Sequence, residues 1–243
     1  ASIVFIMPLL VVYEVGIWRM RGASGETGVV VEEPVAPEAG TRALRANPLA
    51  GDRNAIAPLT KGILFFLGPR AMLAFNALVA GALVWALVLL MRRQSLRLTV
   101  FPLMLAESVV YAVVVMLTVN FVLKWELSVP GAPGDFAGLW DKGVAAAGAG
   151  VYEELVFRGA LLGGLYFVAL DVLRMKRPIA VIASLATASA IFSLAHFITP
   201  GQVDDWGAFR FRFAAGMVLS VVYMARGLGI AAWAHAIYNA WVF

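Results

Sequence analysis

Side chains that could do chemistry are grouped in three short motifs, each within or beside an apolar run of the sequence. The first motif holds two adjacent glutamates, with an arginine four residues after the second one. The second motif ends in a histidine, and the third holds a histidine and an asparagine four residues apart. A carboxylate can act as a general base, and imidazole and amide groups can stabilise an oxyanion, so these types suit attack on a carbonyl group. The residues are Glu153, Glu154, Arg158, His196, His235 and Asn239.

Helical spacing divides the two glutamates into different roles. At about 100° per residue, Glu154 and Arg158 lie about 40° apart around a helix and can pair. Glu153 lies about 100° from Glu154, so it can face another neighbour and is the freer carboxylate. Burial would make that carboxylate a stronger base near neutral pH. His235 and Asn239 are also four residues apart, so one helix face presents both as hydrogen-bond donors to an oxyanion.

Each motif also has a purely structural interpretation. Glu154 and Arg158 could form a buried ion pair that sets the register of a helix. A single histidine in an apolar helix usually only packs, although two such histidines in one chain are less easily explained in that way. Asn239 would then serve as an interhelical hydrogen bond, and Phe192 as packing. Two other acids in apolar runs have no motif around them and are interpreted as helix contacts or accessory polar groups; they are Glu14 and Glu107.

The composition places the chain in a lipid bilayer. Of its 243 residues, 62% are hydrophobic and 14% are charged, and the mean hydropathy is +0.86. Apolar runs of about 18 residues or more recur, each long enough to cross a hydrocarbon core about 30 Å thick. The net charge of +4 comes from short basic runs between these segments, which is typical of topology signals and not of nucleic-acid binding. The absence of cysteine excludes disulfides, thiolate metal sites and cysteine nucleophiles.

These runs predict an all-α fold, a polytopic transmembrane helix bundle of about seven spans, with six to eight as the range. The fourth span would be about 50 Å long, more than a bilayer needs, so it must tilt, break or protrude. A long exposed loop over residues 22–60 and an interfacial segment over 61–68 separate the first two spans. We expect residues 1–139 to hold the N-terminal spans and residues 140–243 a catalytic helix bundle. The predicted spans are 1–18, 71–91, 99–123, 140–174, 178–197, 209–226 and a last run that ends at 243.

The predicted topology leaves a problem of depth. Basic residues after the second, fourth and sixth spans lie on one side, which the positive-inside rule makes cytoplasmic, although the basic residues around 19–21 and 61 disagree. Glu153 and His196 would then lie toward the external side, whereas His235 would be only about 9 Å from the internal turn. Convergence requires an intramembrane turn or a different span boundary. Ala1 begins directly in an apolar run, so we expect residues that precede it to be missing.

The three motifs resemble those of the CPBP family of intramembrane proteases, which includes Rce1-type CAAX-processing proteases and bacterial relatives linked to bacteriocin processing and self-immunity. The resemblance covers residues 140–243. It implies a glutamic-type peptidase without a metal cofactor, in which Glu153, assisted by His196, activates a water molecule. It also implies that His235 and Asn239 stabilise the oxyanion, with Glu154, Arg158 and Phe192 in support. The motifs read Glu153-Glu154-Leu-Val-Phe-Arg158, Phe192-Ser-Leu-Ala-His196 and His235-Ala-Ile-Tyr-Asn239.

Two other functions fit parts of the pattern. A zinc peptidase could use His196, His235 and a glutamate with a water molecule, although HExxH is absent and Asn239 would be an unusual ligand. A non-catalytic immunity or binding protein, or a proton-coupled transporter, would also bury acids, although the chain shows no internal repeat. For a protease we expect a membrane protein or peptide as substrate. The Ala- and Arg-rich, Lys-poor composition favours a bacterial cytoplasmic membrane, where prenylated substrates are not the default.

Overall fold

A computed structural model describes residues 2–24, 99–123, 138–196 and 206–242, together with positions 81, 84, 85 and 88. Within these ranges the secondary structure is helical and contains no strand, which confirms the all-α prediction. The predicted loop 22–60 and the predicted segments 61–68 and 71–91 lie almost wholly outside the described residues. The helices are α1 (Ser2–Ser24), α2 (Val100–Leu123), α3 (Leu139–Val172), α4 (Arg177–Ala195), α5 (Trp206–Arg226) and α6 (Leu228–Val242).

The described helices form a membrane bundle. Four of them, α2 to α5, are long and apolar enough to cross a membrane, and α1 carries a shorter apolar run over Val4–Ile17. Large apolar side chains cover their outer faces: Leu103 is 70% exposed, Phe121 66% and Ile182 65%. A water-soluble surface rarely presents so much contiguous apolar area, whereas a surface in contact with lipid does. The chain is therefore an integral membrane protein.

Helix α3 is unusually long, as the sequence predicted, and carries the first motif near its middle. It runs for 34 residues, and Ala149–Leu162 and Val168–Val172 are wound as π-helix. The angles between side chains were predicted for a regular α-helix, so the π-helical winding of α3 differs from that prediction. π-helical turns are rare and occur frequently at functional sites. Both glutamates lie in the first π-helical stretch.

Helix α3 meets α5 close to the turn that joins α5 to α6. That turn is Gly227, whose φ of 88° favours glycine. Gly163 of α3 lies beside Tyr223, one turn before Gly227, because a Cβ added to Gly163 would be 3.9 Å from the tyrosine hydroxyl. Helix α3 continues for nine residues after Gly163, about 14 Å. The expectation that this long span tilts, breaks or protrudes stays a prediction.

The core of the bundle joins the N-terminal helix to the helices that carry the motifs. Leu9 and Tyr13 of α1 pack with Val151 of α3 and with Ala232 and Ala236 of α6. On the other side of α6, residues of α2 and α5 form a second core cluster. Helix α6 is therefore surrounded by α1, α2, α3 and α5. Its central position fixes where the third motif lies.

Candidate active site

Helices α3 and α6 touch at Gly150, one turn before the two glutamates. A Cβ atom added to Gly150 would lie 2.6 Å from the carbonyl oxygen of Ala232 and 2.8 Å from the Cβ of Ala236. Both distances are far shorter than an ordinary contact, so only glycine allows this approach. Since His235 lies between the two alanines, the contact places its imidazole beside Glu154.

Glu154 is completely buried and connects the first motif to the third. Its Oε1 accepts hydrogen bonds from Arg158 Nη1 at 2.7 Å and from His235 Nδ1, also at 2.7 Å. The pair with Arg158 is the one that helical spacing predicted. The bond to His235 was not predicted, because nothing in the spacing of either motif relates residues on different helices. Arg158, 1% exposed, also donates from Nη2 to the carbonyl oxygen of Gly216 on α5 at 3.4 Å.

Glu153 lies between the two imidazole rings. Its side chain is buried, with Oε1 3.9 Å from His196 Nε2 and Oε2 3.8 Å from His235 Nε2. Both distances exceed a direct hydrogen bond. Arg158 pairs with Glu154 and His196 lies beside Glu153, whereas His235 faces both glutamates through its two ring nitrogens. Both histidines direct Nε2 at Glu153.

Phe192 contacts the polar groups of the site from α4. Its ring meets His196 edge-on with centroids 4.9 Å apart, and it meets His235 in the same way at 6.2 Å. The Arg158 guanidinium lies 4.5 Å from the ring centroid, a cation–π contact. The backbone carbonyl of Phe192 also accepts a hydrogen bond from His196 Nδ1 at 2.9 Å. Phe192 is thus packing, as interpreted from the sequence, but it packs directly against the polar cluster.

Asn239 lies one turn after His235 on α6 and is partly exposed. The structure thus brings six of the seven candidate residues into mutual contact or within 4 Å, with Asn239 as their neighbour on α6. The six are Glu153, Glu154, Arg158, Phe192, His196 and His235.

Two acids that lack a motif make interhelical contacts. Glu14 of α1 accepts a hydrogen bond from the Tyr152 hydroxyl at 2.6 Å. Tyr152 is the residue directly before Glu153 in the sequence. Glu107 of α2 pairs with Arg226 at the end of α5, with Nη2 and Oε2 2.8 Å apart. The interpretation of both acids as helix contacts is confirmed. Tyr152 could not be identified from the sequence, because a tyrosine in an apolar run has no distinguishing spacing.

Glu153, His196 and His235 are of the types that bind zinc in proteins. Two ligands about 2.0–2.1 Å from a tetrahedral zinc ion lie about 3.3–3.4 Å from each other. The observed nitrogen–oxygen distances of 3.8 and 3.9 Å are wider. Among the residues described by the structure, no group of three histidine, aspartate or glutamate side chains could hold a metal ion as placed. The ligand types fit zinc, but their present separation does not.

The fold and the site together define a polytopic α-helical membrane protein with a buried centre of carboxylates and imidazoles. Residues 136–241 match the model of the Rce1-like family, described as type II CAAX prenyl endopeptidase Rce1-like. This part of the chain is therefore similar to a family of prenyl endopeptidases, in agreement with the resemblance drawn from the three motifs. All seven candidate residues lie within the matched region. No curated protein and no solved structure matches the chain.

Proposed function

We propose that the protein is an intramembrane endopeptidase that hydrolyses a peptide bond of a membrane-associated protein or peptide, with Glu153 as general base. One observation supports this most directly: a buried carboxylate lies 3.8 and 3.9 Å from two imidazole nitrogens. These gaps are too long for direct hydrogen bonds, but a water molecule about 2.8 Å from both groups can bridge each of them. A centre of this kind holds water against a base, which is what hydrolysis needs.

The reaction follows from the positions of Glu153 and His196. The water molecule donates one hydrogen bond to the Glu153 carboxylate and another to His196 Nε2. As its oxygen forms a bond to the scissile carbonyl carbon, an O–H bond breaks and the proton moves to the carboxylate. The C=O electron pair moves to the carbonyl oxygen. When the tetrahedral intermediate collapses, the C–N bond breaks and the proton passes to the leaving amine. No covalent intermediate forms with the protein.

The third motif is proposed to stabilise the oxyanion. The Asn239 amide is a neutral donor, and His235 is the second candidate on the same helix. A preorganised donor of this kind contributes about 10²–10³-fold in rate. Partly exposed Asn239 suits this role, because the substrate carbonyl must reach the donor from outside the buried cluster.

A zinc-dependent form of the same activity remains the second candidate, because the donor set is of the correct type. In that form Glu153, His196 and His235 would hold the ion, which would lower the pKa of a bound water molecule. The carboxylate would have to move closer to both rings. Chelator treatment followed by addition of zinc separates the two forms. We expect cleavage to survive chelation, and loss of cleavage that zinc restores would favour the metal form.

The experiment that tests the proposal is cleavage by the purified protein in lipid nanodiscs. The probe is a prenylated peptide that ends in a C-a-a-X sequence, with the products identified by mass spectrometry. We expect Glu153→Gln to lower kcat/KM by about 10²–10⁴-fold, the contribution typical of a general base. Glu107→Gln is the matched control, because it removes the charge of another glutamate on an apolar helix, one that pairs with Arg226 instead of with the cluster. A Glu153→Gln protein that cleaved as fast as the parent would refute the mechanism.

A further inference from the structure

The protonation of His235 can be read from the partners of Glu154. Glu154 Oε1 lies 2.7 Å from both Arg158 Nη1 and His235 Nδ1. An arginine nitrogen can only donate, and Glu154 Oε1 already accepts from Arg158, so the same oxygen is an acceptor toward His235 as well. The proton between Glu154 and His235 therefore belongs to the imidazole, on Nδ1.

The same reasoning applies to His196 with a different acceptor. Its Nδ1 lies 2.9 Å from the backbone carbonyl oxygen of Phe192, which can only accept. Both rings are therefore Nδ1–H tautomers, and both direct Nε2 toward Glu153. A neutral ring of this tautomer carries a lone pair on Nε2 and can accept a hydrogen bond there but not donate one. Neutral His235 thus has no N–H to offer an oxyanion.

We propose that Glu154 is a positioning residue that holds His235 as the Nδ1–H tautomer and acts as the counter-ion when the ring takes a second proton on Nε2. The consequence for turnover rests on the proposed peptidase function, whereas the tautomer assignment does not. The carboxylate of a serine-protease triad acts on its histidine in the same two ways. This role explains why the first motif holds two glutamates: one acts on water, and the other acts on an imidazole.

The proton for Nε2 comes from the water molecule itself. Glu153 takes this proton as the water attacks, and Glu153 Oε2 lies 3.8 Å from His235 Nε2. A water molecule that bridges this gap relays the proton to Nε2, accepting the proton of Glu153 and donating one of its own. The relay regenerates the Glu153 carboxylate and gives an imidazolium whose Nε2–H donates to the oxyanion. The proton then moves to the leaving amine as the C–N bond breaks, so His235 and Glu153 both return to their starting forms.

Two substitutions of Glu154 test its negative charge and its hydrogen bond to His235 separately. Within the described residues, Glu154 Oε2 has no hydrogen-bond partner. Glu154→Gln can therefore keep an acceptor oxygen for His235 while it loses the negative charge. Glu154→Leu removes both the acceptor and the charge. Because Glu154→Leu would leave Arg158 buried without its carboxylate, Glu154→Leu combined with Arg158→Met is made as a second variant with no unpaired charge.

The tautomers are measured by nitrogen NMR with histidine labelled at the ring nitrogens. The chain has two histidines, so a spectrum contains two rings, which a His196→Asn variant assigns. We expect both rings to be Nδ1–H in the parent. In Glu154→Leu or the double variant, His235 should lose its fixed Nδ1–H form while His196 keeps its own, since Phe192 still accepts from it. An Nε2–H signal from His235 in the parent, or an unchanged His235 in both variants, would overturn the assignment.

Kinetics test the counter-ion role. We expect Glu154→Gln to lower kcat at least tenfold with KM within about twofold, because the charge is needed only after His235 is protonated. Glu107→Gln is again the control. If Glu153→Gln is inactive but Glu154→Gln keeps the parental kcat, the positioning role is wrong and the peptidase proposal stands. If Glu153→Gln is fully active, the peptidase mechanism is wrong, while the NMR result still decides the tautomer.

Discussion

Gly150 allows the backbones of α3 and α6 to touch, so Gly150→Ala separates the two halves of the site without removing any functional group. The added Cβ would lie 2.6 Å from the Ala232 carbonyl oxygen and 2.8 Å from the Ala236 Cβ. Neither atom can rotate away, because the oxygen belongs to the backbone and the Cβ is bonded directly to it. Restoring an ordinary contact of about 3.4 Å requires the helices to move apart by about 0.8 Å, since packed interiors have no spare room.

The size of the effect follows from the bond between Glu154 and His235. This bond joins the same two helices about one turn from Gly150 and is 2.7 Å long. A separation of about 0.8 Å would lengthen it to about 3.5 Å, outside the range of a hydrogen bond. A displacement near 1 Å in an active site costs about 10²-fold in rate, and overpacking a core costs about 1–3 kcal/mol. We expect losses of that size in kcat/KM and in stability.

Two other glycines of α3 serve as controls for Gly150→Ala in the cleavage and thermal-unfolding assays. A Cβ added to Gly159 would lie 3.8 Å from its nearest neighbour, and one added to Gly164 would meet nothing within 4 Å. Alanine at either position should leave cleavage unchanged and stabilise the helix by about 0.5–1 kcal/mol. Parental cleavage by Gly150→Ala, or an equal loss in Gly159→Ala, would show that the helix contact does not set the site.

Two further substitutions test the supports of the cluster. Arg158→Lys keeps the positive charge beside Glu154 but not the planar guanidinium group. Thermal unfolding should therefore show a loss of stability, smaller than the loss of about 3–5 kcal/mol that is typical when a buried ion pair is broken. Parental stability of this variant would mean that the guanidinium group is not needed. Tyr152→Phe removes a hydrogen bond to the carboxylate of Glu14 and should cost about 1.5–3 kcal/mol with kcat/KM unchanged. A loss of kcat without a loss of stability would instead place Tyr152 in the reaction.

Local contacts could be predicted from the sequence because they follow from helix geometry. The pair of Glu154 and Arg158 is four residues apart on one helix, so spacing alone identifies it. The helices themselves follow from the length of the apolar runs. The prediction that Glu153 would face other groups than Glu154 holds for His196 only, because His235 lies beside both glutamates.

Contacts between helices could not be predicted in the same way. Glu154 and His235 are 81 residues apart, and their bond depends on the approach of α3 to α6 at Gly150. Spacing within one helix cannot show which helix will cross it, or at which residue. The sequence therefore assigned Glu154 to Arg158 alone and missed its second partner. Because that partner is an imidazole, the missed contact changes the role of Glu154 from structural support to control of a proton.

The boundaries of the predicted spans were insufficient to show that Glu153 and His235 lie side by side. The predicted topology measured the depth of Glu153 from the end of its own span, and so placed it far from His235. In the structure, Gly163 is beside Tyr223, and the last nine residues of α3, about 14 Å, lie past that point. The end of a span therefore does not show which residue of a neighbouring helix lies beside a given glutamate. Glu154 meets His235 because Gly150 lets α6 approach α3 without a gap. Gly150 lies outside the three motifs, yet the first and third motifs could not form one site without it.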